Sequence, residues 1–234
     1  MKKEKIIVYW GSKNKEHLRA TEPTDVFKEY CKDKDINKYE HVRCPAFLDS
    51  LKNTYAIHST YATDMSFDRE KGSLNIDNTQ NFYDNNIIFR DTEIGMVTLL
   101  DETIFFTEEK KLNIEVMPAH LEDNSFTKNT IFIPGVMDIA SWFRPIDITF
   151  YFRKDSDSIR VCLDDAVMYV KFHTDKEIEF VKYEVTARCR ELIDTCTNSR
   201  DNKGITKKLK YYYNLFSKNN MKSKVLAEIK NNIC

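Results

Sequence analysis

From residue 55 to residue 185 the apolar positions recur mostly at every second residue. They fall in short runs of aromatic and β-branched side chains separated by turn-forming residues. A period of two places alternate side chains on one face of a strand, so each run predicts a half-buried β-strand. The densest stretch, 131–185, opens as IFIPGVMDIASWFRPIDITFYFRKD and closes as IRVCLDDAVMYVKFHTDKEIEFVKYEV, broken at Pro134-Gly135, Arg144-Pro145 and two acidic turns. It predicts strands over 130–134, 146–153, 158–163, 166–173 and 177–185. Upstream, 5–10 (KIIVYW), 86–90, 95–100, 102–107 and 111–117 have the same character. TYAIHSTY, DMSFD and LNID, around the polar turn REKGS, predict a hairpin. Roughly a dozen short strands punctuated by turns predict an antiparallel β-sandwich or jelly-roll-like core.

The period changes at both ends of this block. Val26, Phe27, Tyr30 and Cys31 have helical spacing, as do Phe47, Leu48 and Leu51 after Cys44-Pro45. Thr186 is a candidate cap for a helix with the stripe Cys189, Leu192, Ile193 and Cys196. Two further apolar faces follow, one of Ile205, Leu209, Tyr212, Tyr213 and Phe216, the other of Met221, Val225, Leu226, Ile229 and Ile233. Helices this short need a surface to pack on. The expected class is therefore α+β and β-rich. Residues 1–185 form the core with short N-terminal helices, and 186–234 form a C-terminal helical subdomain packed on the core or on a partner.

Composition narrows the chemistry. Hydrophobic content of 41% and charged content of 31% are those of a globular domain. No stretch approaches the roughly 18 apolar residues of a membrane span. The apolar run near the N-terminus is too short for a secretory signal. The expected location is thus the interior of a cell, without membrane association. Six cysteines contain no C-x-x-C pair, which removes zinc-ribbon and thioredoxin-type chemistry. Charge is uneven: 202–234 holds eight lysines against one acid, Glu228, giving +7, so the remaining residues carry −8 of a net −1.

Several constellations are candidates for function. His120 and Glu122, with His173 some fifty residues on, match the two-His-one-carboxylate set of a non-haem Fe(II) oxygenase, in which Lys182 would anchor a carboxylate co-substrate. As loop and turn histidines they also have a purely structural reading. Asp164-Asp165, with Asp155 and Asp157, suggests either a cation turn or ordinary turn chemistry. Trp142, Arg144 and Lys182 are candidate ligand-binding residues. An Arg between aromatics stacks on or clamps an anion, while the alternative places the rings in the core under the Arg stem. Lys207, Lys208 and Lys210 beside Tyr211 combine phosphate-attracting charge with stacking rings, a nucleic-acid reading. P-loop, G-x-G-x-x-G, G-x-S-x-G and H-E-x-x-H motifs are absent from the sequence.

The segments RATEPTDVFKEY, HVRCPAFLDSLKNTYAI, FFTEE, HLEDN, IFIPGVMDIASWFRPIDITFYF and MYVKFHTDKEIEFVKYEVT, with VYW near the start, resemble uncharacterised proteins of tailed bacteriophages of marine cyanobacteria and other marine bacteria. The resemblance spans most of the chain. It carries no activity and no catalytic residues. It implies a viral origin and a place in the virion or the host cytoplasm. The leading expectation is a non-enzymatic protein that binds a viral or host protein, with homo-oligomerisation possible. The iron oxygenase and the nucleic-acid binder stand as alternatives.

Overall fold

Three sheets carry the strands among the described residues. The computed structural model describes residues 4–13, 21–32, 38–77, 87–201, 216 and 220–234. In chain order the elements are β1 Lys5–Ser12, β2 Thr24–Asp25, α1 Val26–Cys31, α2 Pro45–Leu51, β3 Thr54–His58, β4 Thr63–Asp68, β5 Ser73–Ile76, β6 Ile87–Asp91, β7 Met96–Thr107 and β8 Asn113–Met117. They continue as α3 Ser125–Asn129, β9 Thr130–Phe132, β10 Gly135–Asp138, β11 Pro145–Phe152, β12 Ser158–Val161, β13 Ala166–Phe172, β14 Glu177–Lys182, α4 Ala187–Asp201 and α5 Met221–Lys230.

A 6-stranded sheet runs β14-β1-β7-β11-β9, with β6 beside the first half of β7. A 5-stranded sheet runs β10-β8-β13-β3-β2, and a 3-stranded sheet runs β12-β4-β5. The inner faces of the two large sheets meet in one core. Val8, Trp10, Val97, Leu99, Phe105, Ile148, Phe150 and Phe152 face Ile57, Ile114, Val116, Met168, Val170 and Phe172. The small sheet adds Met65, Phe67, Ile159 and Val161 to it. This is an α+β, sandwich-like fold.

Helices cover the outer faces. On the 6-stranded sheet, Tyr9, Ile104 and Phe106 pack against Cys189, Leu192, Ile193 and Cys196 of α4 and Val225 and Ile229 of α5. On the 5-stranded sheet, Ala56 and Tyr169 pack against Val26 of α1 and Leu51 of α2. Strands covered on both sides read as continuous apolar runs. That explains VYW in β1 and AVMYV in β13, where strict alternation fails; Ile7, before the covered part of β1, is exposed.

Local chemistry sets the helix ends. Asp25 caps α1 by accepting from Lys28 N at 2.9 Å. Pro45 opens α2 at a position that needs no N–H. Lys171 Nζ donates to the carbonyls of Asp49 and Ser50 near the end of α2. Thr186 Oγ1 accepts from Cys189 N at 3.0 Å and donates to Glu228 at 2.7 Å, so one cap also ties α4 to α5. Tyr9 Oη and Lys230 Nζ both reach Glu108, and Lys222 Nζ donates to the Glu109 carbonyl, which fixes α5 to the turn after β7.

Two glycines permit close approaches. A Cβ on Gly11 would stand 2.9 Å from the Tyr183 carbonyl and from Val185 Cγ2, so glycine lets the chain leaving β14 cross β1 closely. Gly95 ends the turn before β7 at φ +65°, and a Cβ there would lie 2.6 Å from the Phe67 ring. Gly95→Ala combines left-handed strain of roughly 1–2 kcal/mol with crowding of about 1–3 kcal/mol. Urea denaturation is expected to show a loss of about 2–5 kcal/mol; a loss of only about 1–2 kcal/mol would mean that Phe67 yields freely and the backbone strain alone is felt.

Several sequence expectations are corrected by the fold. The runs 95–100 and 102–107 form one strand, β7, long enough to pair β6 and then β1 along the same edge. The core is not wholly antiparallel: β1 and β14 pair in parallel, Lys5 with Glu177 through Trp10 with Lys182. The polar loop after His120 contains α3, capped by Asn124 accepting from Thr127 N at 2.9 Å. The last helix stops at Lys230, and Ile233 instead forms an antiparallel bridge with Tyr183. Of the helical face expected over 205–216, only Phe216 lies among the described residues, and it joins the core beneath α4 and α5. No helix among the described residues is long and apolar enough to cross a membrane.

Candidate functional site

His120, Glu122 and His173 do not form one ligand set. β13 and β8 pair Tyr169 with Met117 and Phe172 with Ile114. His120 lies against Tyr169, with ring centroids 5.4 Å apart, whereas His173 follows Phe172 and its N–H donates to Asn113 O at 3.0 Å. Four residues of strand, at about 3.3 Å each, separate Tyr169 from His173 by about 13 Å, so the two histidines lie toward opposite ends of the ladder. Their rings are also engaged elsewhere. His173 Nε2 is 3.2 Å from Glu115, His120 Nδ1 is 3.2 Å from Pro118 O, and Glu122 accepts from Tyr169 Oη at 2.9 Å. A single iron with bonds of about 2 Å cannot join them. The spacing H-x-E…H matched a sequence pattern that the strand register pulls apart.

Nor are Trp142, Arg144 and Lys182 gathered. Trp142 is buried, Phe143 lies under the C-terminal helices, and Arg144 Nη1 is 3.9 Å from Asp147. Lys182 stacks over the Trp10 ring at 5.0 Å. Pro145 and Lys182 are three strands apart in the order β14-β1-β7-β11, about 14 Å at the usual strand spacing. Lys207, Lys208, Lys210 and Tyr211 lie outside the described residues. Asp157 pairs with Arg69 of the β4–β5 turn at 2.7 Å and so ties two loops together, while Asp165 accepts from Cys162 N at 2.8 Å and secures its own turn. Among the described residues no group of three or more His, Cys, Asp or Glu is placed to hold a metal ion.

Three other places concentrate polar or apolar chemistry. The first is a cavity of about 470 Å³ where α1, the loop after β8 and the β12–β13 turn converge, lined by Glu29, His58, Glu122, Asp123, Asp164 and Asp165. His58 Nε2 lies 3.6 Å from Glu29. Burial, and after it the charge of Glu122, holds the Tyr169 hydroxyl far above the usual tyrosine range, so it stays a neutral donor.

The second is a groove of about 980 Å³ along one open side of the sandwich, between the edge strands β2 and β14. Tyr55 and Phe180 form its floor, with ring centroids 4.8 Å apart in an edge-to-face contact. Three lysines (Lys5, Lys28 and Lys32) stand against five carboxylates on its walls. Burial first, then the charges of Asp25 and Glu177, pushes the Tyr55 hydroxyl up to about 12. Burial first, then the hydrogen bond to Glu108, does the same for Tyr9, also to about 12. A folded-state value above the unfolded one stabilises fully below the unfolded pKa near 10, and that contribution disappears as pH rises to about 12. Absorbance at 295 nm is expected to show these two tyrosines ionising late, with stability falling between pH 10 and 12. Ionisation of all twelve tyrosines near 10 without unfolding would contradict the packing.

The third is the opposite side, where the chain passes from one sheet to the other through β9 and β10, each an edge strand. Ile131 and Ile133 are 37% exposed and Val136 is 62% exposed. Gly135 lies in the open, with nothing within 4 Å of a Cβ built on it. The register explains the exposure. Phe132 and Met137 turn into the core, so their neighbours Ile131 and Val136 turn out.

Sequence reasoning read 130–134 as one more core strand and did not single out the two edges. The alternation of Ile131, Phe132 and Ile133 was a usable signal, because three consecutive apolar residues in a single strand cannot all face one core. Comparison with protein-family models, with curated proteins and with solved structures finds no match to this chain.

Proposed function

We propose that this chain is a non-catalytic protein that binds a protein partner through its β9–β10 corner. The observation that carries this reading is the apolar group Ile131, Ile133 and Val136, displayed on the edge strands β9 and β10 and the connection between them. Single exposed apolar residues are ordinary, but a contiguous group on unpaired edges is a surface that natural proteins otherwise cover or charge. The resemblance to tailed-phage proteins supports a partner in the virion or among host proteins.

The test is co-purification of the full chain from phage-infected cells, with an Ile133→Lys/Val136→Lys variant in parallel. Both positions are exposed, so the variant is expected to keep the wild-type melting temperature. It is expected to lose the partner that the wild type retains in stoichiometric amount. A wild type that purifies alone, or a folded variant that retains the same partner, refutes the reading. Finding the protein in purified virions would place that partner in the particle; finding it only in cell lysate would place it among host factors.

A further inference from the structure

The outward edge of β14 lies at the other side of the sandwich from β9 and β10. Glu177 N donates to Glu4 O at 3.1 Å, and Tyr183 N donates to Trp10 O at 3.0 Å. Residues of odd number in this stretch therefore bond to β1, and Ile178, Phe180 and Lys182 turn their N–H and C=O groups the other way. At one end that outward edge is already occupied. Cys234 N donates to Lys182 O at 3.0 Å, Glu184 N donates to Asn232 O at 2.9 Å, and Tyr183 bridges Ile233 in the antiparallel sense. Residues 232–234 thus lie on the edge as a short added strand. Beyond them β14 pairs with no other described strand, and its outward groups at Ile178 and Phe180 border the 980 Å³ groove.

We propose that this free length of β14 binds an extended, basic peptide of a partner protein by strand addition. The peptide runs antiparallel to β14, in line with residues 232–234. Main-chain hydrogen bonds to Ile178 and Phe180 supply the register, as in other edge-strand complexes. A residue opposite Phe180 shares its face, so an apolar side chain there rests on the Tyr55–Phe180 pair. Residues opposite Glu177 and Glu179 point away from the core, and lysine or arginine suits both. Thr24 Oγ1, on the facing wall, is buried with no hydrogen-bond partner among the described residues and offers a further polar contact.

Charge argues against a second copy as the occupant. Two antiparallel β14 edges centred on Ile178 would set Glu177 opposite the other copy's Glu179, and like charges directly opposed across strands destabilise the pair. The groove's excess of carboxylates over lysines points to a basic guest in the same way.

The probe is a fluorescein-labelled peptide, Gly-Ser-Val-Lys-Val-Lys-Gly, titrated into the full chain at low salt and followed by anisotropy and amide hydrogen exchange. The proposal requires saturable binding that a Glu177→Lys/Glu179→Lys variant weakens at least tenfold. It also requires that the Ile178 and Phe180 amides, fast-exchanging in the free protein, become protected, while those of Glu177 and Glu179 are slow throughout. Absence of binding to 1 mM peptide overturns it, as does binding that leaves the Ile178 and Phe180 amides fast. Protection of those amides by raising protein concentration alone would make a second copy the occupant and equally overturn it. These residues are distinct from Ile131, Ile133 and Val136, so either surface can fail its test without the other.

Discussion

Phe150→Ala is expected to lower the stability of this protein by about 3–5 kcal/mol. Phe150 has no exposed surface and sits mid-strand in β11, paired with Val97 on one side and Phe132 on the other. Its ring meets Phe126 edge-on at a centroid distance of 5.0 Å and Phe152 at 6.0 Å. Truncation removes the transfer free energy of a buried ring and leaves a cavity that the flanking strands cannot close, since each is pinned by its own ladder. Urea or guanidinium unfolding measures the loss directly. A cost below about 1 kcal/mol would mean that the core repacks around Phe126, contrary to the tight packing of a folded interior.

Ile229→Asp is expected to act on a different layer. Ile229 has no exposed surface and lies with Val225 against Tyr9 and Phe106, on the outer face of the 6-stranded sheet. Losing a buried isoleucine costs about 1.5–3 kcal/mol, and an uncompensated buried carboxylate adds several more. The protein has a cheaper escape, which is to release α5. The measured cost is therefore capped at the free energy with which α5 docks. The expected result is selective proteolysis near residues 220–230 and a rise in dye binding as Tyr9 and Phe106 become exposed, while the inner core still unfolds cooperatively. Loss of the whole fold in one step would show instead that the two layers are a single cooperative unit.

Much of this architecture was legible in the chain. Period-two runs located most of the strands, and the stripe Cys189, Leu192, Ile193 and Cys196 located the face of α4 that packs on the sheet. Legibility failed where tertiary context decides. Asp101 interrupts an apolar run and reads as a break, yet β7 continues through it because both halves find partners along one edge. The polar sequence Asp123-Asn124-Ser125 reads as a turn, and Asn124 there is in fact a helix cap. Composition gives no sign of whether a strand partner runs parallel, so the β1–β14 ladder was unforeseeable from either strand alone. The candidate site fared worse for a related reason. Spacing brought His120, Glu122 and His173 together on paper, and register separated them. The groove between β2 and β14 draws its walls from Thr24 and Phe180, which have no local relation in sequence.

The ladder between β1 and β14 has a consequence for how the chain is made. Lys5 meets Glu179 across 174 positions of sequence, so β1 leaves the ribosome long before the strand it pairs with in parallel. Its other neighbour, β7, arrives about midway and gives β1 a partner on one edge only. Until β14 and the helices after it emerge, the IIVYW run has an unpaired edge and an uncovered outer face. Contacts this distant slow folding, and nascent species of this kind are prone to aggregate. Translation arrested before residue 177 is therefore expected to leave a chain that depends on chaperones, and a strand made late acts as the fastener of one made early.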